Sequence, residues 1–173
     1  MASRMLRSVL VAAAMLSLCG PAVAQDADEE PDPVILGIAL ADAVMTLSGG
    51  LADSEVHGRP VSAKFEMPDG DLRLSVYIAA ADGFVEIALN PKTGTVISAE
   101  PITDADDLAH ANAQKAAMEK ATVSLQAAAE KAVHENPDSQ AVSVVPERRD
   151  GRPIAAVKLL RPRDLITTTE PLN

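Results

Sequence analysis

The chain has no tryptophan, one tyrosine, two phenylalanines and one cysteine in 173 residues. A single cysteine excludes a disulfide framework and a thiolate metal cluster. Its three histidines, His57, His110 and His134, lie far apart with no paired metal-ligand spacing, so they read as exposed or helix-end residues. Pro91-Lys92-Thr93-Gly94-Thr95 contains a Lys-Thr pair but lacks the glycine loop that cradles phosphate, and reads as a turn. Asp104, Asp106 and Asp107 lack the glycine turn and distal glutamate of a calcium loop, and read as a helix-capping cluster. No serine sits in a nucleophile elbow. The expectation is no enzyme, no catalytic residue, no cofactor and no metal.

Positive charge is also scarce, with 15 Lys and Arg against 25 Asp and Glu. Such an acid excess argues against nucleic acid or an anionic membrane as the main partner. Arg4 and Arg7, the apolar run from Val9 to Leu18 and Ala22-Val23-Ala24 together predict a signal peptide over 1–24, cleaved between Ala24 and Gln25. Cys19 lies inside the removed piece; Leu16-Ser17-Leu18-Cys19 offers the alternative of a lipoprotein anchored at Cys19. No second run is long enough to span a membrane. The mature chain is therefore expected to be periplasmic or secreted, cysteine-free and held by apolar burial. It would carry a net charge of −12, with a basic balance confined to the part after Gln140.

Residues 25–32 (QDADEEPD) predict a disordered acidic leader. Asp32-Pro33 then predicts an N-cap with proline at the first helical position. Leu36, Leu40, Ala43, Val44, Leu47 and Leu51 continue at helical spacing, and Gly49-Gly50 is where that helix should weaken, bend or end.

From Val61 the period changes to two. Val61, Ala63, Phe65 and Met67 alternate with Ser62, Lys64 and Glu66, the pattern of a strand with one buried face. Pro68-Asp69-Gly70-Asp71 is a turn, and Leu72, Leu74, Val76 and Ile78 alternate with Arg73, Ser75 and Tyr77. Asp82-Gly83 and Asn90-Pro91-Lys92-Thr93-Gly94 flank a third strand, and Thr95-Val96-Ile97 opens a fourth. All three mature aromatics, Phe65, Tyr77 and Phe84, fall here, so this sheet should carry the best-formed core. Helices are predicted from Thr103 or Asp104, with a break at Thr122-Val123-Ser124 and a second helix over 125–133. Strands follow at 141–145 and 154–160, with a weaker one at 165–169.

The C-terminal part echoes the first sheet at an offset of 81 positions. Val61-Ser62 falls on Val142-Ser143, Glu66 on Glu147, and Asp69-Gly70 on Asp150-Gly151. Leu74, Val76 and Ile78 fall on Ala155, Val157 and Leu159. The expected fold is α+β: two repeated helix-plus-antiparallel-sheet units over 33–102 and 103–173, the second truncated.

The run Val61-Ser62-Ala63-Lys64-Phe65-Glu66, the Asp69-Gly70 hairpin and Asn90-Pro91-Lys92-Thr93-Gly94 before Val96-Ile97 resemble the PepSY domain of secreted and periplasmic bacterial proteins. The stretch from Ser124 to Ala132 looks like the helix that opens such a unit. Asn90 stands where the family usually has Asp, and the second unit lacks the closing turn and strand. The resemblance implies a helix packed on an antiparallel sheet and a non-enzymatic role, modulating or inhibiting an extracytoplasmic protease. It carries over no catalytic residue.

Two surfaces stand out as sites for a protein partner in the cell envelope. One is the outward face of the first sheet, with Lys64, Glu66, Arg73, Ser75 and Tyr77; Glu66 and Glu86 there read as solvated. The other is the arginine group of Arg148, Arg149, Arg152, Arg161 and Arg163, which would meet an acidic partner or pack on the chain's own acidic first part. Strand addition at a sheet edge is a third mode. The alternative function is small-ligand or metal binding in a groove between the units.

Overall fold

The computed structural model describes residues 31–173. The expected signal peptide, its Ala24/Gln25 cleavage site, Cys19 and most of the acidic leader lie outside the described residues.

Asp32 caps α1 (Pro33–Leu40), its side chain accepting the N–H of Val34 and Ile35. The helix does not run on to Gly49-Gly50 as its spacing predicts; it ends at Leu40. Val44 and Met45 instead donate their N–H groups to the carbonyl of Pro91, in the turn after the third strand. Thr46 then caps a separate helix, α2 (Leu47–Ser54), accepting from Gly49 N–H at 3.0 Å. Both glycines lie inside α2, and Gly50 is buried there against Leu74. Glycine is kept at this position for close approach, not to break the helix.

A continuous antiparallel sheet of seven strands follows the alternation: β1 (Arg59–Glu66), β2 (Arg73–Ala80), β3 (Gly83–Leu89), β4 (Val96–Pro101), β5 (Gln140–Arg149), β6 (Arg152–Leu160) and β7 (Leu165–Pro171). Their spatial order is β4-β3-β2-β1-β5-β6-β7. Neighbours pair over most of their length except at the centre, where β1 and β5 meet through two residue pairs, Ala63 with Val144 and Lys64 with Ser143. Each of these central strands carries a bulge, at Val61 in β1 and at Val142 in β5. The β1–β2 and β5–β6 hairpins both turn on a left-handed aspartate followed by a left-handed glycine, Asp69-Gly70 and Asp150-Gly151. Gly94 is left-handed too, as its turn sequence predicts.

The main core lies between one sheet face and three helices. Leu36 and Leu40 of α1, Leu47 and Leu51 of α2, and Leu125, Ala128, Ala129 and Ala132 of α4 (Leu125–Glu135) meet Phe65, Leu74, Val76, Ile78, Val144, Val157 and Leu159. Small alanines on α4 let it approach α2 and the sheet closely. The other face is covered in part by α3 (Ala105–Met118), whose Ala111 and Leu108 pack on Val61, Phe84 and Tyr77. Asp104 caps α3 and Ser124 caps α4, as expected. The β7 strand runs past its predicted end to Pro171, and the buried Leu172 accepts the N–H of Thr122 and Val123 between the two helices. No helix among the described residues is long and apolar enough to cross a membrane.

Candidate functional site

Alternation after the Val61 bulge turns Ser62, Lys64 and Glu66 to the face opposite the main core. Hairpin register sets Lys64 opposite Ser75 and Glu66 opposite Arg73, and β3 brings Glu86 opposite Tyr77. The predicted site residues Lys64, Arg73 and Tyr77 therefore come together, with Glu66 at their centre. Lys64 Nζ lies 2.6 Å from Glu66 Oε1, and Arg73 Nη2 lies 2.7 Å from Glu66 Oε2. The Lys64 ammonium is also 5.9 Å from the centre of the Tyr77 ring, within cation–π range.

This face is not the solvated surface that its polarity suggests. Ser75 is fully buried, and Glu66 is mostly covered. The Ser75 hydroxyl lies 2.8 Å from Glu66 and 2.7 Å from Glu86. One hydroxyl holds one proton, so it can donate to only one carboxylate at a time. Arg73 Nη2, 3.6 Å from Glu86 as well as bonded to Glu66, supplies the positive charge that lets both carboxylates stay close. Burial pushes the Glu66 carboxyl up, but hydrogen bonds from Lys64 and Arg73 and the Lys64 charge outweigh it and hold the group below its ordinary value. For Arg73, burial lowers and the Glu66 contact raises; the guanidinium ends up more firmly charged.

The cluster forms one wall of a cleft of about 950 Å³. The cleft exists because β1 and β5 splay apart beyond their short junction. Its lining includes Phe65 and Val142, Leu36 and Ile35 of α1, and the charged Lys64, Arg73 and Lys158. In the other direction from the junction, one face of the strands is covered. There α3 lies beside β1 and β5, with Ala111 against Val61 and Gln114 hydrogen-bonded to Ser62 at 2.8 Å. Arg59 donates to the carbonyl of Met118 at the end of α3. A smaller recess of about 250 Å³ remains between α3 and the sheet, beside Tyr77, His110 and Gln114.

The arginines form no single group. Arg148, Arg149 and Arg152 are exposed at the β5–β6 hairpin. At about 3.4 Å per residue this tip lies roughly 20 Å along β5 from the cleft. Arg149 pairs with Glu147 of its own strand at 3.9 Å, and Arg161 pairs with Asp164. Among the described residues the ion pair of Arg149 is with Glu147 of its own strand, not with an acid of the first part. His57, His110 and His134 are exposed and dispersed, and no three metal-ligating side chains gather among the described residues.

Sequence reasoning missed the central place of Glu66 and Glu86. The signal for Glu66 was present: counting outward from Asp69-Gly70 sets it opposite Arg73. Nothing local signals Lys158 or Ile35, which reach the cleft through the β1–β5 junction and the early end of α1.

No protein-family model and no curated protein matches the chain. A solved structure of a candidate lipoprotein from Clostridium difficile is similar over 83% of this chain and 98% of its own, at 12% identity and a TM-score of 0.35.

Proposed function

We propose that the chain is a non-enzymatic, periplasmic protein-binding module of two PepSY-like units, 33–102 and 103–173, the second truncated. It acts by contact on an envelope partner, for which an extracytoplasmic protease is the leading class. Recurrence at one offset supports the two-unit reading. The bulged Val61 and Val142, the left-handed Asp69 and Asp150, and Gly70 and Gly151 are all 81 positions apart. Bulges and left-handed aspartates are uncommon features, and their shared spacing favours duplication over coincidence.

The observation that carries the binding reading is the cleft where the two units meet. It combines apolar and charged side chains in one lining, the composition of a recognition site. Photo-crosslinking in intact cells tests it. A photoreactive residue replacing Met67, on the cleft wall, should trap a discrete protein adduct. The same residue replacing Asp82, in the turn between β2 and β3, should not. An adduct from both positions, or from neither, removes the proposal. A cleft of about 950 Å³ also favours a second reading, small-ligand binding. That reading requires a small molecule to remain bound in native mass spectrometry.

A further inference from the structure

We infer that two copies of this chain join edge to edge through β7, which pairs antiparallel with its own copy about a two-fold axis at Thr168. This edge is distinct from the cleft, to which β7 contributes Leu165 alone. Nothing among the described residues pairs with the outer side of β7. Leu172 donates its N–H to the carbonyl of Pro153, and Arg161 donates to that of Asp164. Both bonds lie on the register that sets Val157 opposite Thr168. In an antiparallel ladder every second residue bonds its neighbour with both backbone groups, and the residues between turn both groups away. The β7 residues bonded to β6 are therefore Ile166, Thr168 and Glu170, and those turned outward are Leu165, Thr167, Thr169 and Pro171. This outward series is unbroken and symmetric about Thr168. Against a second copy, Thr167 meets Thr169 and Leu165 meets Pro171. Each threonine pair exchanges N–H and C=O in both directions. Pro171 has no N–H, but its carbonyl accepts from Leu165.

The opposite edge of the sheet is guarded. There β4 carries a bulge at Ile97, which breaks its outward series, and the exposed Glu100 follows. On β7 the register with β6 has no shift. Its side chains add no repulsion between copies. Thr167 and Thr169 are exposed and neutral, and the one acid, Glu170, is buried and paired with Lys131 of α4. Three successive β-branched residues suit a paired strand, and threonines that face each other across strands bond through their hydroxyls. The helix above, α4, packs on β5, β6 and β7 and reaches β1, so it sits back from the edge and leaves room for its copy. Any extended segment can pair with a bare edge. What favours a second copy is that β7 complements itself in backbone and side chains alike. Two strands of seven residues bury less than the roughly 1,200–2,000 Å² of a standard interface, so the dimer should form in a concentration-dependent way.

Sedimentation velocity on the purified chain tests the association. The weight-average mass should rise with concentration from that of one chain toward that of two. Thr168→Cys should give a disulfide-linked dimer under mild oxidation, because Thr168 and its copy would face each other as a non-hydrogen-bonded pair, with Cα atoms about 4.5 Å apart. Ser98→Cys, on β4, should not. Thr169→Pro removes one outward N–H and none that bonds β6, and an edge strand tolerates proline at such a position. It should weaken the association roughly tenfold or more and leave the circular dichroism spectrum unchanged. A chain that stays monomeric at every concentration overturns the inference, as does a dimer that Thr169→Pro leaves intact. So does an absence of cross-linking from Thr168→Cys, or equal cross-linking from Ser98→Cys. Should Thr169→Pro fail to fold, the two cysteine variants still decide.

Discussion

Asp69 and Asp150 hold the same left-handed backbone, with φ of 53° and 51°, at the tips of the β1–β2 and β5–β6 hairpins. Aspartate tolerates this region better than most residues because its short polar side chain can bond locally, whereas a β-branched side chain collides with its own backbone. Asp150→Val should cost about 1–2 kcal/mol, and Asp150→Asn close to nothing. Urea unfolding of the two variants checks this. Equal stability would mean that the hairpin does not depend on that conformation.

Gly50 and Gly37 give opposite expectations for the same substitution. A Cβ on Gly50 would sit 2.2 Å from Leu74 Cδ2, and Leu74 is fully buried. Overpacking of this kind costs about 1–3 kcal/mol, more than the ~1 kcal/mol that alanine gains over glycine in a helix. A Cβ on Gly37 meets Leu160 at 3.7 Å, an ordinary contact. Gly50→Ala should therefore lower the melting temperature and Gly37→Ala should raise it.

Acid should weaken the fold through Glu66. Its folded pKa is depressed below the ordinary 4.5 by Lys64 and Arg73 acting against burial. The stability this contributes is fully present above the unfolded value and is lost as pH falls through the lower, folded value. Glu66→Gln should flatten the decline in stability below about pH 4.5 relative to the parent chain, as followed by denaturant titration at stepped pH. An unchanged slope would show that the cluster does not hold the carboxyl charged.

Reversing Arg148 and Arg149 together to glutamate should shift stability by no more than about 0.5 kcal/mol, the range of surface substitutions. Arg149 is 60% exposed and its partner Glu147 is 49% exposed, a pairing that water screens. A large drop in melting temperature would require a contact beyond the described residues. Salt added to the parent chain offers a parallel check, since any long-range attraction to the acids would be screened.

Much of the sheet was legible because its information is local. Alternation at Val76 and Ile78, turn chemistry at Asp69-Gly70 and at Asn90 through Gly94, and caps at Asp32, Asp104 and Ser124 each act within a few residues, and each appears where the sequence put it. What escaped depends on distant partners. The first helix stops early because Val44 and Met45 bond to Pro91, a partner more than forty positions away. Gly49-Gly50 misled because intrinsic propensity disfavours glycine in a helix, while packing against Leu74 requires it. The same holds for the candidate site. Lys64, Arg73 and Tyr77 were placed on one face by period alone, but the burial of Ser75 and the cleft beside it arise from which strands become neighbours.

Geometrically, the meeting of Ala63 with Val144 and Lys64 with Ser143 is a fulcrum. On the cleft side β1 continues only through Glu66 and β5 only back to Gln140, whereas in the other direction they run to Arg59 and Arg149. On the longer side α3 lies across the sheet face, with Ala111 packed against Val61 and Phe84. Any change in the angle between β1 and β5 would therefore strain the packing of Val61 and Phe84 beneath α3.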